Sequence, residues 1–305
     1  MLRFILAIAA CTYLAFHGLQ KGSLSRSGAL AAFVLGLVTF SHPNPVFGAI
    51  LLAFYLSSSK LTKWKQELKK ELEEDFKEGY GTRLRGQRTA TQVLSNGLTG
   101  TLLTLAHWYT VYDLAPYPPG PAPCLSLAGT SIPHTILTLA YVGHYACCNG
   151  DTWASEIGVL GKGRPRLVTT WREVPIGTNG GVSPLGFAAS LAGGTLIGLI
   201  AALFLPWDPS CAGSRPFVLL IAAGTLAGII GSLIDSLLGA TLQRSTYNAA
   251  TKKIAGDHRR MRSGETDRDL IHVAGIEVLD NHQVNFVSSL ITAVIFAFGA
   301  TWVSS

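Results

Sequence analysis

The sequence predicts an all-α, polytopic integral membrane bundle of about eight transmembrane helices, and three observations carry that prediction. The first is composition: 48% of the 305 residues are hydrophobic and only 14% are charged, against about 25% charged in soluble domains. The second is segmentation. Apolar runs at 2–18, 24–41, 43–59, 91–112, 132–148, 184–205, 217–242 and 282–303 each approach the ~20 residues that cross a hydrocarbon core. The third is the placing of basic residues: 22 of the 24 Lys and Arg fall in alternate connections, as the bias of these residues toward cytoplasmic loops requires.

The first run follows a single Arg3 and lacks a small-residue cleavage site, so it reads as a retained span. The second and third form either two spans or one re-entrant hairpin, and the sidedness of every later loop is the same in both cases. After them Leu61, Trp64, Leu68, Leu72 and Phe76 recur at helical spacing among Lys and Glu. This predicts a cytosolic amphipathic helix and loop over 60–88, lying on the membrane surface or packed on the bundle. The proline-rich stretch 115–123 is a stiff connector. Residues 243–281 mix charges of both signs with Gly256 and Gly264, which predicts a mobile cytosolic loop. The whole of 1–305 is a single membrane domain.

Only Arg3 and Arg215 lie outside the basic connections, so both termini are expected on the non-cytosolic face. The excess of basic residues therefore expresses topology; nucleic-acid binding would need a basic face on a soluble module, and none is visible. The five cysteines have no CxxC metal spacing, and Cys147 and Cys148 read as helix packing. Cys124 and Cys211 fall in two loops of the non-cytosolic face, either bridged or as free thiols.

Acids stand on three of these runs, where acids are expensive. Asn149-Gly150-Asp151-Thr152-Trp153-Ala154-Ser155-Glu156 puts two carboxylates at the edge of the fifth run, Asp235 lies inside the seventh, and Asp280 precedes the eighth. An ionised group within a bilayer helix costs roughly 2.5–3.5 kcal/mol at its centre and usually marks a site. Asp235 is one turn from both Gly231 and Gly239, and these glycines are expected to clear space around its carboxylate. Thr178-Asn179-Gly180-Gly181-Val182-Ser183-Pro184 then opens the sixth run. Ser183 suits an N-cap and Pro184 a first helical turn, with the glycines admitting a ligand to the backbone. A tight turn accounts for the glycines; the added hydroxyl and amide groups favour phosphate at a helix N-terminus. The turn is neither a Walker A loop nor a dinucleotide fingerprint.

At these residues the chain resembles the transmembrane protein 19 family, which includes the plant phytyl-phosphate kinase. The resemblance runs through Asp75-Phe76-Lys77-Glu78-Gly79, Gly86-Gln87-Arg88, Asn96-Gly97, the Gly150–Glu156 motif, Thr178-Asn179-Gly180-Gly181, Gly231-Ser232-Leu233-Ile234-Asp235-Ser236 and Leu279-Asp280-Asn281. More distantly, Gly150-Asp151 with Asp280-Asn281 is similar to CTP-dependent polyprenol kinases. The His-Gly-Gly and Asp-Arg signature of phosphatidate cytidylyltransferases is absent, against CDP-lipid synthesis. The resemblance implies a kinase that converts an isoprenyl monophosphate, such as phytyl or geranylgeranyl phosphate, to the diphosphate.

Phosphoryl transfer at the membrane edge, where positioning and charge neutralisation carry the catalysis, fits both lines of argument. The expected catalytic carboxylates are Asp151, Glu156, Asp235 and Asp280, with Asp151, Asp235 and Glu156 as Mg²⁺ ligands. A nucleoside triphosphate, CTP by the resemblance, is the expected donor. Thr178, Asn179, Gly180, Gly181 and Ser183 would cradle its phosphates, with Arg88, Lys162, Arg166 and Arg172 neutralising charge. Asn96, Asn281 and Asn285, with Ser155 and Thr170, complete the expected nucleotide and phosphate contacts. The expected partners are the lipid monophosphate and the membrane of the endoplasmic reticulum or another organelle, with a homodimer left open. The competing readings are a transporter of a lipid phosphate or other anionic solute, although no internal repeat is evident, and a CDP-lipid-type cytidylyltransferase.

The topology is directly testable. Cysteines introduced at Lys70 and Gly120 should be labelled from opposite sides of sealed membranes, and labelling of both from one side would contradict the assigned loops.

Overall fold

The computed structural model describes residues 2–64, 87–113, 125, 132–206, 216–250, 252–255 and 270–302. Its helices, in chain order, are α1 (Leu2–Gln20), α2 (Arg26–Ser41), α3 (Pro45–Lys63), α4 (Ala90–Trp108), α5 (Ile132–Gly158), α6 (Pro184–Phe204), α7 (Pro216–Leu242) and α8 (Asn281–Trp302). A π-helical turn, Tyr109–Asp113, continues α4. The starts are chemically marked. Ser25, Asn44, Thr89 and Ser183 each accept an amide hydrogen bond as N-cap of α2, α3, α4 and α6, and Pro45 and Pro184 occupy the first turns of α3 and α6.

Five helices are long and apolar enough to cross a bilayer by length and composition. Helix α2 is shorter, with 16 residues. Helices α4 and α5 are diluted by polar groups turned inward, among them Thr99, Thr104 and His107 on α4 and His134, Thr138, His144 and Asn149 on α5. Helices α2 and α3 form a hairpin whose second arm runs along α5 for most of its buried length. At one end, His42 in their connection meets His107 of α4; at the other, Ser57 and Ser58 of α3 donate to Asn149 of α5. From Pro45 to Ser58 the helix rises about 20 Å.

Helix α5 is the hub, packed against α3, α4, α6, α7 and α8. Its inner face buries Tyr141, Val142, Tyr145 and Ala146 against Phe47 and Ile50 of α3, Ile197 and Ala201 of α6, and Leu220 and Ala227 of α7. Helices α6 and α7 meet backbone to backbone. A methyl on Gly228 would lie 2.7 Å from the Cα of Gly194, and one on Gly224 would lie 2.6 Å from the Cα of Gly198. Lipid tails are as apolar as leucine, so small residues that admit close contact replace the hydrophobic effect as the source of helix affinity. A hydrogen bond of 2.8 Å between the hydroxyls of Thr195 and Thr225 crosses the same seam.

A row of imidazoles ties the other end of the bundle. The Asn44 amide, which can only donate, lies 3.0 Å from Nδ1 of His42. Nε2 of His42 is 3.1 Å from Nδ1 of His107, and Nε2 of His107 is 2.6 Å from Nδ1 of His134. All three rings are buried, and Nε2 of His134 has no partner among the described residues.

Two small sheets modify the all-α expectation. Strands β1 (Arg166–Leu167) and β2 (Gly181–Val182) pair antiparallel between α5 and α6. The segment expected as a mobile loop contains β3 (Ser245–Asn248), β4 (Lys253–Ala255) and β5 (Leu270–Ala274), in the order β4-β3-β5 with antiparallel pairing. Gly275, at φ 71°, turns β5 back beneath the end of α7, where a side chain would strike the Gln243 carbonyl. Of the amphipathic stretch only residues up to Trp64 are described; the remainder of that helix, the proline-rich connector, Cys124, Cys211, Gly256 and Gly264 lie outside the described residues.

Overpacking the seam should be severe. Gly228→Leu should lower stability by at least about 3 kcal/mol, beyond the usual ~1–3 kcal/mol of an overpacked core because backbone cannot give way. Gly299→Leu, where a Cβ meets nothing within 4 Å, should be neutral. Thermal unfolding in detergent compares the two.

Candidate functional site

Helix α5 does not stop at Cys148, where its apolar run ends, but continues to Gly158. Gly150 explains how it can do so while packed. A Cβ there would lie 2.9 Å from Gly228 of α7 and 3.0 Å from the Ser190 carbonyl of α6. The glycine lets α5 lie directly on both neighbours, and the next residue, Asp151, is thereby turned toward α7. Its Oδ1 accepts from the Ser232 hydroxyl at 3.4 Å.

Asp235 follows Ser232 by three residues, so both lie on one face of α7. Its Oδ2 accepts from the Ser288 hydroxyl of α8 at 2.9 Å. With its amide nitrogen turned to the carboxylate, Asn285 donates to the same oxygen at 3.3 Å and to the Asn281 carbonyl at 3.1 Å. The two aspartates are close enough to repel one another, both lie within helices, and neither is in a salt bridge among the described residues. Their partners, Ser232, Ser288 and Asn285, are all neutral. Two partly buried carboxylates whose partners are all neutral leave the site able to take up positive charge.

The glycines flanking Asp235 do not clear space for a ligand as expected. A Cβ on Gly231 would meet Cys147 of α5 at 2.5 Å, and one on Gly239 would meet the Gly180 nitrogen at 3.2 Å. They admit neighbouring protein instead. The turn over 178–183 is likewise committed to structure: the amides of Thr178, Asn179 and Gly181 donate to Pro175, Ser245 and Thr178. The Thr178 hydroxyl donates to the Pro175 carbonyl at 2.7 Å, and the Ser183 hydroxyl accepts from Gly186 at 3.1 Å. Gly180, at φ 76°, abuts Ser236 and Ala240 of α7, one turn beyond Asp235.

Glu156 lies about 140° around α5 from Asp151, and it acts on Arg88 rather than on the aspartate pair. Among the described residues no three His, Cys, Asp or Glu side chains converge as a metal-binding group. The main chain of Arg88 is held by Ser23 and Ser25, and its guanidinium donates to Ser59 at 3.1 Å. Burial holds this guanidinium below its usual range, with Tyr55 and Glu156 pulling the other way. Asn96 lies in the second turn of α4, and its carbonyl accepts from His144 at 3.0 Å. Ser155, Lys162, Arg166, Thr170 and Arg172 are exposed, and Arg166 pairs with Glu173 at 3.5 Å.

Asp280 has a structural duty. Its Oδ1 accepts from the Gln283 amide at 2.9 Å, and its own amide donates to Oε1 of Gln283 at 2.9 Å. This reciprocal capping box starts α8 and so sets the faces that carry Asn285 and Ser288. Ser232, Ser288 and Gln283 were not among the expected site residues. A three-residue spacing from Asp235, Asn285 and Asp280 respectively was the available signal.

A comparison with known families agrees with this architecture: the profile of the integral membrane protein DUF92 matches residues 9–293. The chain belongs to that family. It is similar to Protein PGR of Arabidopsis thaliana, at 38% identity over 99% of this chain and 97% of the relative. It is 26% identical to an uncharacterized membrane protein of Methanocaldococcus jannaschii over 80% of this chain and 85% of the relative. It is also 26% identical to Protein VTE6, chloroplastic, of Arabidopsis thaliana over 72% of this chain and 56% of that relative. No solved structure matches.

The cap makes a separable prediction. Asp280→Ala should cost about 1 kcal/mol of stability, whereas Asp280→Asn should be nearly neutral because asparagine caps as well. Chemical denaturation in micelles reads both.

Proposed function

We propose that this DUF92-family protein is a membrane-embedded kinase for an isoprenyl monophosphate, transferring the γ-phosphoryl group of a nucleoside triphosphate, CTP by the resemblance, to give the diphosphate. The observation that carries the reading is the Asp151 and Asp235 pair, partly buried, mutually repelling and held only by neutral donors. Such a pair is poised to take up positive charge. The oxygen-only donor set suits Mg²⁺, which binds one or two carboxylates together with substrate phosphates. When bound there, the ion would neutralise charge on the transferring phosphoryl group.

The chain's own residues have distinct tasks in this reading. Ser232, Ser288 and Asn285 fix the orientation of the two carboxylates. Asp280 acts through α8, by setting the helical phase of Asn285 and Ser288. Gly180 and its turn hold α7 in position next to Asp235. The exposed Lys162, Arg166 and Arg172 supply positive charge for nucleotide phosphates, and the guanidinium of Arg88 supplies it for the lipid phosphate. A phosphate oxygen of the lipid forms the new bond to the γ-phosphorus as the bridging bond to the β-phosphate breaks, releasing a nucleoside diphosphate. No separate base is required, because the attacking oxygen is already anionic. The resemblance to the transmembrane protein 19 family, with the plant phytyl-phosphate kinase among its members, supports the substrate class. The similarity to a chloroplastic relative supports an organelle membrane.

Asp151→Asn and Asp235→Asn should each slow Mg²⁺-dependent transfer roughly a hundred- to a thousandfold, equivalent to about 3–4 kcal/mol of transition-state stabilisation. Glu277→Gln, which removes an exposed pair with Arg244, should leave turnover unchanged. The assay follows label from the γ-phosphate of CTP into geranylgeranyl diphosphate. Near-normal turnover in both aspartate variants, or transfer of the α-phosphate instead, would overturn the proposal.

A further inference from the structure

Four helices that contribute nothing to the aspartate pair enclose a second feature. Between α1, α2, α3 and α4 lies a cleft with an open mouth. Its depth is apolar, formed by residues such as Cys11, Leu14, Leu35, Phe40 and Leu51. Its floor is narrow. A Cβ on Gly36 would lie 3.1 Å from Sγ of Cys11, and one on Gly97 would lie 2.8 Å from a methyl of Leu35.

Polar groups gather at the other end. Gln92 and Asn96, one turn apart on α4, and Arg88 just before that helix line one side, with Tyr55 on α3. Arg88 is built into place: its main chain bridges to Leu24, and Gly28 is required because any side chain there would strike the Arg88 carbonyl. Its guanidinium offers five N–H donors, and among the described residues its side-chain hydrogen bond goes to Ser59 and it forms no salt bridge. A desolvated guanidinium at the mouth of an apolar slot is complementary to a phosphate that carries a hydrocarbon chain.

The depth also matches. Arg88 is bonded to Ser59, the adjacent Ser58 is bonded to Asn149, and Asn149 precedes Asp151 by two residues. The mouth is therefore level with the aspartates, on another side of α5.

We propose that this slot binds the chain of a single-chain isoprenyl monophosphate, with Arg88 at its mouth holding the phosphate. The assignment rests on the kinase reading in that it names the acceptor's site, but binding tests it separately from turnover. The full-length protein in nanodiscs is irradiated with geranylgeranyl monophosphate bearing a terminal diazirine. Cross-links should map to α2 and α4 near Ala32, Leu35 and Gly97. Unlabelled geranylgeranyl monophosphate should compete at least about tenfold better than geranylgeraniol, phosphatidic acid or inorganic phosphate, because one charge-assisted contact sets the difference. Arg88→Gln should weaken labelling roughly tenfold and Arg88→Lys much less. Ala32→Trp should block the long chain and spare geranyl monophosphate, which separates a filled slot from a misfolded protein. Cross-links outside the slot, equal competition by the alcohol, or long-chain labelling unchanged in Ala32→Trp would overturn the assignment, even where kinase turnover is present. Labelling as expected without any turnover would support the site and count against the kinase reading.

Discussion

Close backbone contact between α5 and the α6–α7 pair is the constraint on which the site depends. Two carboxylates do not approach one another in a bilayer unless something stronger holds them there. Here it is a set of glycine contacts, Gly150 on Gly228 and Gly194 on Gly228, which leave no slack for α5 to draw away from α7. The repulsion between Asp151 and Asp235 is thus borne by main-chain packing, with a thin covering of neutral hydrogen bonds. The same contacts explain why the most closely packed helices of the bundle also carry its most costly charges.

The molecule divides functionally along α5. On one side α6, α7 and α8 supply acids and their supports; on the other α1, α2, α3 and α4 form an apolar cleft closed by a guanidinium. Asn149 joins the halves, accepting from Ser57 and Ser58 and donating to the Gly193 carbonyl at 2.8 Å. One buried amide thereby fixes the relative depth of both features, and two of its three partners fill both acceptor positions of its oxygen.

Much of this was legible in the sequence because bilayer physics is restrictive. Apolar length located the helices, and Asp151 and Asp235 stood out because charges in such segments are rare. Ser183 and Pro184 marked the start of α6 as expected. What the sequence hid was direction. Hydropathy cannot tell that α5 continues through Thr152 and Glu156, because polar residues there are accommodated by protein contacts rather than by lipid. Nor does proximity in sequence reveal that Glu156 falls on a different face of α5 from Asp151, which turns toward α7. The Gly231 and Gly239 positions were read as room for a ligand, yet small residues in membranes serve helix contact at least as often. The three short strands after α7 escaped notice because β5 pairs with β3 nonlocally and their residues are of mixed polarity.

The imidazole row at the opposite end has a polarity. Because the Asn44 main-chain amide can only donate, Nδ1 of His42 accepts, and His42 and then His107 donate Nε2–H to the next ring. The three ring dipoles therefore align head to tail, beginning at the positive N-terminus of α3 and strengthening one another in a low-dielectric interior. Their summed positive end emerges at Nε2 of His134, which, like the hydroxyl of Thr138 one turn on, has no partner among the described residues. The row carries the field of one helix terminus sideways through two neighbouring helices, and it leaves a hydrophobic interior with a fixed electropositive spot suited to an ordered water.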